Sequence, residues 1–382
     1  MEFSWSEEQL QFRKRLADFG ASELADDVVE RDEVSEFSES LWQKCAEFGV
    51  QGMYVPEAYG GSESADIQTA ILGMEGLGYG CGDGGLLLAL NAQMWAVQLP
   101  ILHFGNEYQK ERFLPKLCSG QWKGAHGITE PGSGSDVFSL STTATRVEGG
   151  YVLNGQKCMV TLAPIADVAL VVATMDSSKG KWGISTFLVE VKSEGFTRGE
   201  NHLKMGLRTV PIGELRMNDC FVPESHRLGK EGGGFATFNY SLEFERCCIL
   251  ASQVGAMERQ LEVCIRYARE RKQFGKSIGK FQSVSNRIAD MKLRLETAKL
   301  LLYRVAWTKS QGKSAMMDAA ILKLYLSESY VDSSIDAMRI HGGKGYLTEN
   351  GVDRDMRDAI GGVLYAGTSD IQRNIISGLL GL

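Results

Sequence analysis

The chain has 382 residues, 43% of them hydrophobic and 23% charged, and a formal net charge of −7. That balance excludes a disordered chain and provides apolar material for two or three packed layers or domains. The acidic total speaks against wholesale nucleic-acid binding but leaves room for a local basic patch that holds a phosphate-bearing ligand.

The first segment, MEFSWSEEQL, is acidic and amphipathic. It has neither the basic n-region nor the apolar h-region of a secretory signal, which predicts a cytoplasmic location. Helical periodicity then runs to about Pro115. SEEQLQFRKRLADFGASEL opens on Ser6 as an N-cap, and SESLWQKCAEFGV repeats apolar residues at helical spacing before ending at Gly49. Breaks are expected at 56–61 and 78–85. The longest apolar runs, GGLLLAL (84–90) and DVALVVA (167–173), are too short to cross a bilayer, so no membrane span is expected.

From Gly124 to about Arg227 the pattern changes to short β-rich runs: TTATRVEGGYVLNGQK, ADVALVVATM, WGISTFLVEV and GELRMNDCFV. Gly149-Gly150 and Asn154-Gly155 are predicted as tight turns between antiparallel strands. After GKEGGGF the helical pattern returns. Leu250, Val254, Met257, Leu261 and Ile265 mark one face of a helix over 245–271, and Val284, Ile288, Met291, Leu295, Ala298 and Leu302 mark another over 282–307. A third is predicted over 318–339. The fold class is therefore α+β in three parts: helical at 1–120, a β-domain at 121–228, and a bundle of long helices at 229–382.

The eight cysteines show no C-x-x-C spacing and read as small buried hydrophobes. The five histidines form no H-E-x-x-H or H-x-x-x-H pattern, and no metal is predicted.

Four stretches carry chemistry. In HGITEPGSGSD (126–136), Gly132 and Gly134 let a ligand approach the backbone, and Thr129, Ser133 and Ser135 offer hydroxyls. It is a phosphate cradle or a plain turn. It lacks the lysine of a P-loop, and no strand, G-x-G-x-x-G and helix unit supports a nicotinamide site. ARERKQFGK (268–276) is a pyrophosphate-binding arginine cluster or a solvated helix end whose cations complement the dipole. RIHGGKG (339–345) is a glycine-rich binding turn or a C-cap. LYAGTSDIQRN (364–374) opens a helix. Its hydroxyls Thr368 and Ser369 have no adjacent histidine, so an anion cradle or a cap is favoured over a nucleophile.

TEPGSGSD, NGQKCMVTLAPIAD, ERKQFGKSIGKFQ, GGKGY and YAGTSDIQ, in this order on a helical, β, helical layout, resemble the acyl-CoA dehydrogenase superfamily over nearly the whole chain. The resemblance implies an N-terminal helical domain, a middle β-barrel or sandwich and a C-terminal four-helix bundle. It also implies a homotetramer with FAD between the β-domain, the bundle and a neighbour's bundle. Carried over by position, Ile128, Thr129 and Thr161 would contact the isoalloxazine, with His126 and Met159 in the same set. Gly134 and Ser135 would lie near the ribityl chain and pyrophosphate. Arg271, Gln282, Arg339, Gly342 and Gly343 would serve the FAD of the adjacent subunit, and Thr368 with Asp370 the adenosine-diphosphate half.

The chain departs from the family pattern at three places. Met159 replaces the aromatic residue of W-I-T, Arg339 replaces a glutamine, and Ala366 stands where many members carry the catalytic glutamate of Y-E-G-T. Alanine removes no proton. An isovaleryl-type minority takes its base from the first long helix, just before an arginine, which here selects Glu245 ahead of Arg246. By spacing alone Glu245 reads as an ordinary helical surface carboxylate paired with its neighbours; the resemblance and Ala366 together make it the base. Glu243, two positions away, faces elsewhere and is the weaker candidate. Arg246 and the Ala366 backbone N–H are assigned to substrate. The implied reaction is α-proton removal with hydride transfer to flavin beside a thioester carbonyl. SLEFERC, APIADV, MERQLE, MKLRLETAKLLLYR and RIHGGKG further resemble the prolyl carrier-protein oxidases of pyrrole-containing and anatoxin-type natural products. Those enzymes act on L-proline held as a thioester on a phosphopantetheinyl carrier protein. A short or branched-chain acyl-CoA dehydrogenase and a catalytically idle binding or assembly protein are the alternatives.

Overall fold

The computed structural model describes residues 5–25 and 27–382, so residues 1–4 of the acidic amino-terminal segment lie outside it. Helix α1 (Glu7–Glu23) starts in a capping box in which Ser6 and Gln9 exchange backbone and side-chain hydrogen bonds, as the sequence predicts. α2 (Val28–Val34) and α3 (Glu39–Phe48) follow, and Gly49 closes α3 in the left-handed region at φ 91°. α4 (Ile67–Gly80) is separated by a short turn from α5 (Gly84–Gln93), and α7 (Glu107–Cys118) completes the first helical part.

α5 does not end where the apolar run GGLLLAL ends. It passes through one π turn at Met94–Gln98 into α6 (Leu99–Phe104). The combined helix, Gly84–Phe104, is long and apolar enough to cross a membrane, which corrects the reading that every such stretch is too short. Its most apolar window is 89% buried inside the protein, the property of a core helix.

The β-part comprises β1 (Gly124–Gly127), β2 (Thr143–Val147), β3 (Gly150–Thr161), β4 (Val168–Thr174), β5 (Ile184–Glu190), β6 (Phe196–Arg198), β7 (Ile212–Pro223) and β8 (Arg227–Leu228). They form one mixed sheet ordered β6-β7-β3-β2-β4-β5-β8, with β1 pairing in parallel with β4. Gly149, at φ 77°, makes the predicted turn between β2 and β3. Asn154-Gly155 does not make a turn. It lies inside β3, at a register shift against β7, where Asn154 exchanges hydrogen bonds with Asp219. A bulge asks for the same Gly conformational freedom as a hairpin turn, so the dipeptide alone does not separate the two.

The last part holds α8 (Gly234–Cys248), α9 (Ala251–Glu270), a two-residue hairpin β9 (Lys272–Gln273) and β10 (Lys276–Ser277), α10 (Gln282–Ser310), α11 (Met316–His341), α12 (Val352–Gly362) and α13 (Ser369–Leu379). The single helix expected over 245–271 is two, broken at Ile249 and Leu250. The apolar stripe runs on across the break, which is why the spacing reads as one element. Leu250, Val254, Met257 and Leu261 are buried, as are Met291, Leu295, Ala298 and Leu302 of α10.

The two helical parts, separated in sequence by the sheet, share one core in which Trp42, Met74 and Trp95 join Phe244, Val254, Leu295 and Leu326. α4 and α9 meet so closely that a Cβ on Gly78 would lie 1.9 Å from the Ser252 carbonyl oxygen, and one on Gly255 1.9 Å from that of Glu75. Only glycine allows this approach. Seven cysteines are buried, Cys158 is half-buried, and none is paired. Among the described residues no group of three or more His, Cys, Asp or Glu is placed to hold a metal ion.

Candidate active site

The loop after β1 and the end of β3 are joined by a buried ion pair that the sequence did not reveal. Lys157 Nζ, on β3, lies 2.6 Å from Glu130 Oε1 and donates to the Ile128 carbonyl at 3.1 Å. Glu130 also accepts from the Ser141 amide at 2.6 Å and the Thr142 amide at 3.0 Å. Burial works against its charge, but the hydrogen bonds from Lys157, Ser141 and Thr142 prevail and hold its carboxyl at about 2. Burial lowers Lys157, with Glu130 pulling the other way.

This pair brings together residues predicted from separate motifs. The Cys158 amide donates to the Thr129 carbonyl at 2.8 Å, so Ile128 and Thr129 lie against the strand that carries Met159 and Thr161. Met159 sits at a register shift between Lys157 and Val160 with φ 54°, and at 64% exposure it presents its thioether outward. On the loop beyond, a Cβ added to Gly132 or Gly134 would meet nothing within 4 Å, and Ser135 is exposed.

α8 supplies the carboxylates. Glu243 is occupied: its Oε1 accepts from the Ala315 amide and lies 3.2 Å from Lys309 Nζ. Glu245 is buried yet differently placed. Its Oε1 has no hydrogen-bond partner among the described residues, and the basic group within ion-pair distance is His126, with Nδ1 at 3.7 Å. Arg246 is buried with its Nε unpartnered. Burial pushes its guanidinium down, opposed by Glu245 and Glu243. Lys323 of α11 is buried with no partner for Nζ and is pushed down to about 8 by burial, with Glu328 raising it and Arg246 lowering it.

Ala366 lies between α12 and α13 at φ 52°, a strained conformation for a residue with a Cβ. Its carbonyl and that of Gly367 accept from Gln372 Nε2 at 3.2 and 2.9 Å, while its own N–H donates to no group among the described residues. Thr368 caps α13 by accepting from the Ile371 amide at 3.3 Å, as predicted. Asp370 is exposed and paired with Arg373 at 3.0 Å. Tyr365 accepts a hydrogen bond from Gln253 at 2.8 Å. Together with Leu88, Ile249 and Asp358 these two residues line a cavity of about 30 Å³. Ile249 is one turn beyond Glu245, and its amide donates to the Glu245 carbonyl. Burial pushes Asp358 up to about 7 against the hydrogen bond from the Leu207 amide.

Arg271, Gln282, Arg339, Gly342 and Gly343 gather at one end of the bundle. The Ile278 amide bonds the Arg271 carbonyl at the start of α10, and Tyr267 of α9 donates to the His341 carbonyl at the end of α11. Arg339 is 59% exposed and makes only a 3.5 Å contact with Asp336, which Arg287 and Arg294 already satisfy. Phe274 and Tyr346, both more than 80% exposed, flank this end.

The residues present fit the dinucleotide that the resemblance implies. The open glycine loop and the capped helix start at Thr368 would offer phosphate donors and the outward Met159 an apolar wall, while the unused backbone N–H of Ala366 is left for the substrate. The buried, unpartnered atoms of Glu245 and Arg246 need a neighbour that the chain alone does not provide. Two functional features were missed in sequence, the Glu130–Lys157 pair and the His126–Glu245 approach. The only signal for the first is an opposite charge in each of two motifs.

Family models for the acyl-CoA dehydrogenase N-terminal, middle and C-terminal domains match residues 6–121, 125–220 and 232–380. The chain is 42% identical over 378 residues to an L-prolyl-[peptidyl-carrier protein] dehydrogenase of Pseudomonas fluorescens, with 99% of each chain covered. It superposes on the crystal structure of the prolyl acyl carrier protein oxidase AnaB with a TM-score of 0.98 at 48% identity, covering 99% of this chain and 100% of that one. On PigA with FAD and proline the TM-score is 0.97 at 40% identity, with both chains fully covered. By these matches along its full length, the chain belongs to the acyl-CoA dehydrogenase family.

Proposed function

We propose that this chain is an FAD-dependent oxidoreductase that desaturates an L-prolyl group held as a thioester on a phosphopantetheinyl carrier protein. The observation that carries the reading is the pairing of Ala366, which offers a backbone donor but no carboxylate, with Glu245, a buried carboxylate whose Oε1 is unbonded among the described residues. Similarity to proteins named for prolyl carrier-protein substrates gives the substrate class.

When bound, FAD supplies the hydride acceptor. Glu245 takes the α-proton as general base. The Ala366 N–H meets the charge that develops on the thioester oxygen, and its fixed backbone makes it a preorganised donor. Arg246 adds a positive charge beside the base, while Glu243 stays tied to Lys309 and Ala315. His126, Ile128, Thr129, Met159 and Thr161 face the flavin side, and Gly134, Ser135, Thr368 and Asp370 the phosphates. Arg271, Gln282, Arg339, Gly342 and Gly343 reach a neighbouring subunit's FAD in a homotetramer, a role supported by their common exposed end beside Phe274 and Tyr346. The division at 120/121 and 228/229 belongs to the same reading.

The test is anaerobic mixing of the yellow holoprotein with prolyl carrier protein, free proline, and short and branched acyl-CoAs. Flavin bleaching is expected with the prolyl thioester. Bleaching by an acyl-CoA and not by the prolyl thioester selects the acyl-CoA dehydrogenase alternative, and a protein that holds no flavin selects the idle one.

A further inference from the structure

We propose that His126 is the positioning residue and proton outlet of Glu245: it steadies one carboxylate oxygen and takes on the proton that the carboxylate has abstracted. This rests on the reading of Glu245 as the base.

The two side chains come from different parts of the fold. His126 is carried by β1, which is locked beside β4 with His126 opposite Leu170, and Glu245 is carried by α8. Both are about nine-tenths buried, and their facing atoms are 3.7 Å apart. Neither ring nitrogen of His126 has a hydrogen-bond partner among the described residues, and neither has Glu245 Oε1. Leaving a buried acceptor unbonded is costly, so two unbonded polar groups facing one another mark a contact that the filled site completes. Hydrogen bonds between catalytic groups are often long before substrate binds. Among the described residues His126 is the one basic group within ion-pair distance of Glu245: Glu243 is held by Lys309 and Ala315, and Arg246, the next residue on the helix, acts on Glu245 through its charge without such a contact.

The chemistry needs such a partner. As the α C–H bond breaks, its electron pair forms the new double bond to the β-carbon, the β C–H pair leaves as hydride for the acceptor that bound FAD would supply, and the proton stays on Glu245 as an O–H bond. A base this buried cannot serve a second turnover until that bond breaks. Transfer to a neutral imidazole breaks the O–H bond and forms an N–H bond, with no change in oxidation state. The imidazolium then loses its proton toward solvent.

The experiment compares wild-type, His126→Gln and His126→Ala holoproteins. Three quantities are read: single-turnover flavin bleaching, steady turnover, and uptake of solvent deuterium at the α-carbon of the prolyl thioester by enzyme whose flavin was reduced beforehand with dithionite. The last reports proton transfer without hydride transfer. Glutamine can still donate to Oε1 but cannot carry a proton. His126→Gln is expected to slow bleaching only about threefold while deuterium uptake and steady turnover fall about thirtyfold, and His126→Ala to lose all three more deeply. Equal losses in all three for His126→Gln, or undiminished deuterium uptake, overturn the proposal. Glu245→Gln should abolish uptake whatever stands at 126. If it does not, or if wild type shows neither bleaching nor uptake, the reading of the base or substrate fails instead.

Discussion

Glu130 in the β-part and Glu245 on α8 are both buried carboxylates close to the same proposed cofactor site, and their surroundings are opposite. Glu130 is held by Lys157, the Ser141 hydroxyl and two backbone amides. Glu245 has a buried oxygen with no bond and a histidine just out of reach. A carboxylate whose lone pairs are all engaged is fixed in charge and place, so it can serve only to hold the loop carrying Ile128 and Thr129 against β3. A carboxylate left partly unengaged is a poor structural element and an available base. Burial alone does not separate the two roles; hydrogen-bond accounting does.

The comparison can be broken from either side. Glu245→Gln is expected to lower steady turnover by about 10²–10⁴-fold while the protein keeps its flavin and its melting temperature, because no existing hydrogen bond is lost. Lys157→Met should do the reverse, destabilising the fold by about 3–5 kcal/mol in denaturant titration and releasing flavin, since Glu130 is left as an uncompensated buried charge. Pairing it with Glu130→Gln should recover part of that loss.

Acid sharpens the same contrast. The folded state depresses Glu130 to about 2, below the ordinary carboxylate value of about 4.3, so its contribution to stability is complete above that value and drains away as pH falls toward 2. Glu130→Gln should remove this part of the acid sensitivity in melting curves taken across that window. The smallest effect is expected at the α13 cap, where Thr368→Ala costs about 0.5–2 kcal/mol and weakens flavin retention without touching bleaching by the flavin that stays bound.

Much of this was legible in the sequence. Ser6, Gly49 and Thr368 carry cap chemistry that depends only on local backbone geometry, and the apolar stripes of α9 and α10 follow directly from spacing. The choice of Glu245 over Glu243 rests on the resemblance, which puts the base just before an arginine; spacing adds only that residues two apart on a helix face different neighbours. What escaped depends on contacts between distant segments. Asn154-Gly155 was misread because bulge and turn demand the same residue. α5 was read short because its apolar run changes character at Asn91, where tertiary burial and a π turn carry the helix on. Lys157 and Glu130, and likewise His126 and Glu245, meet only once β1, β3 and α8 are in register, and no periodicity announces that.

The most direct measurement is the flavin absorbance of Glu245→Gln holoprotein after anaerobic mixing with the prolyl thioester, beside wild type under the same conditions. The account predicts full bleaching of the wild type and an oxidised, yellow variant over the same interval. Bleaching of the variant at a rate within about tenfold of wild type would contradict it, because a positioned general base contributes at least ~10²-fold.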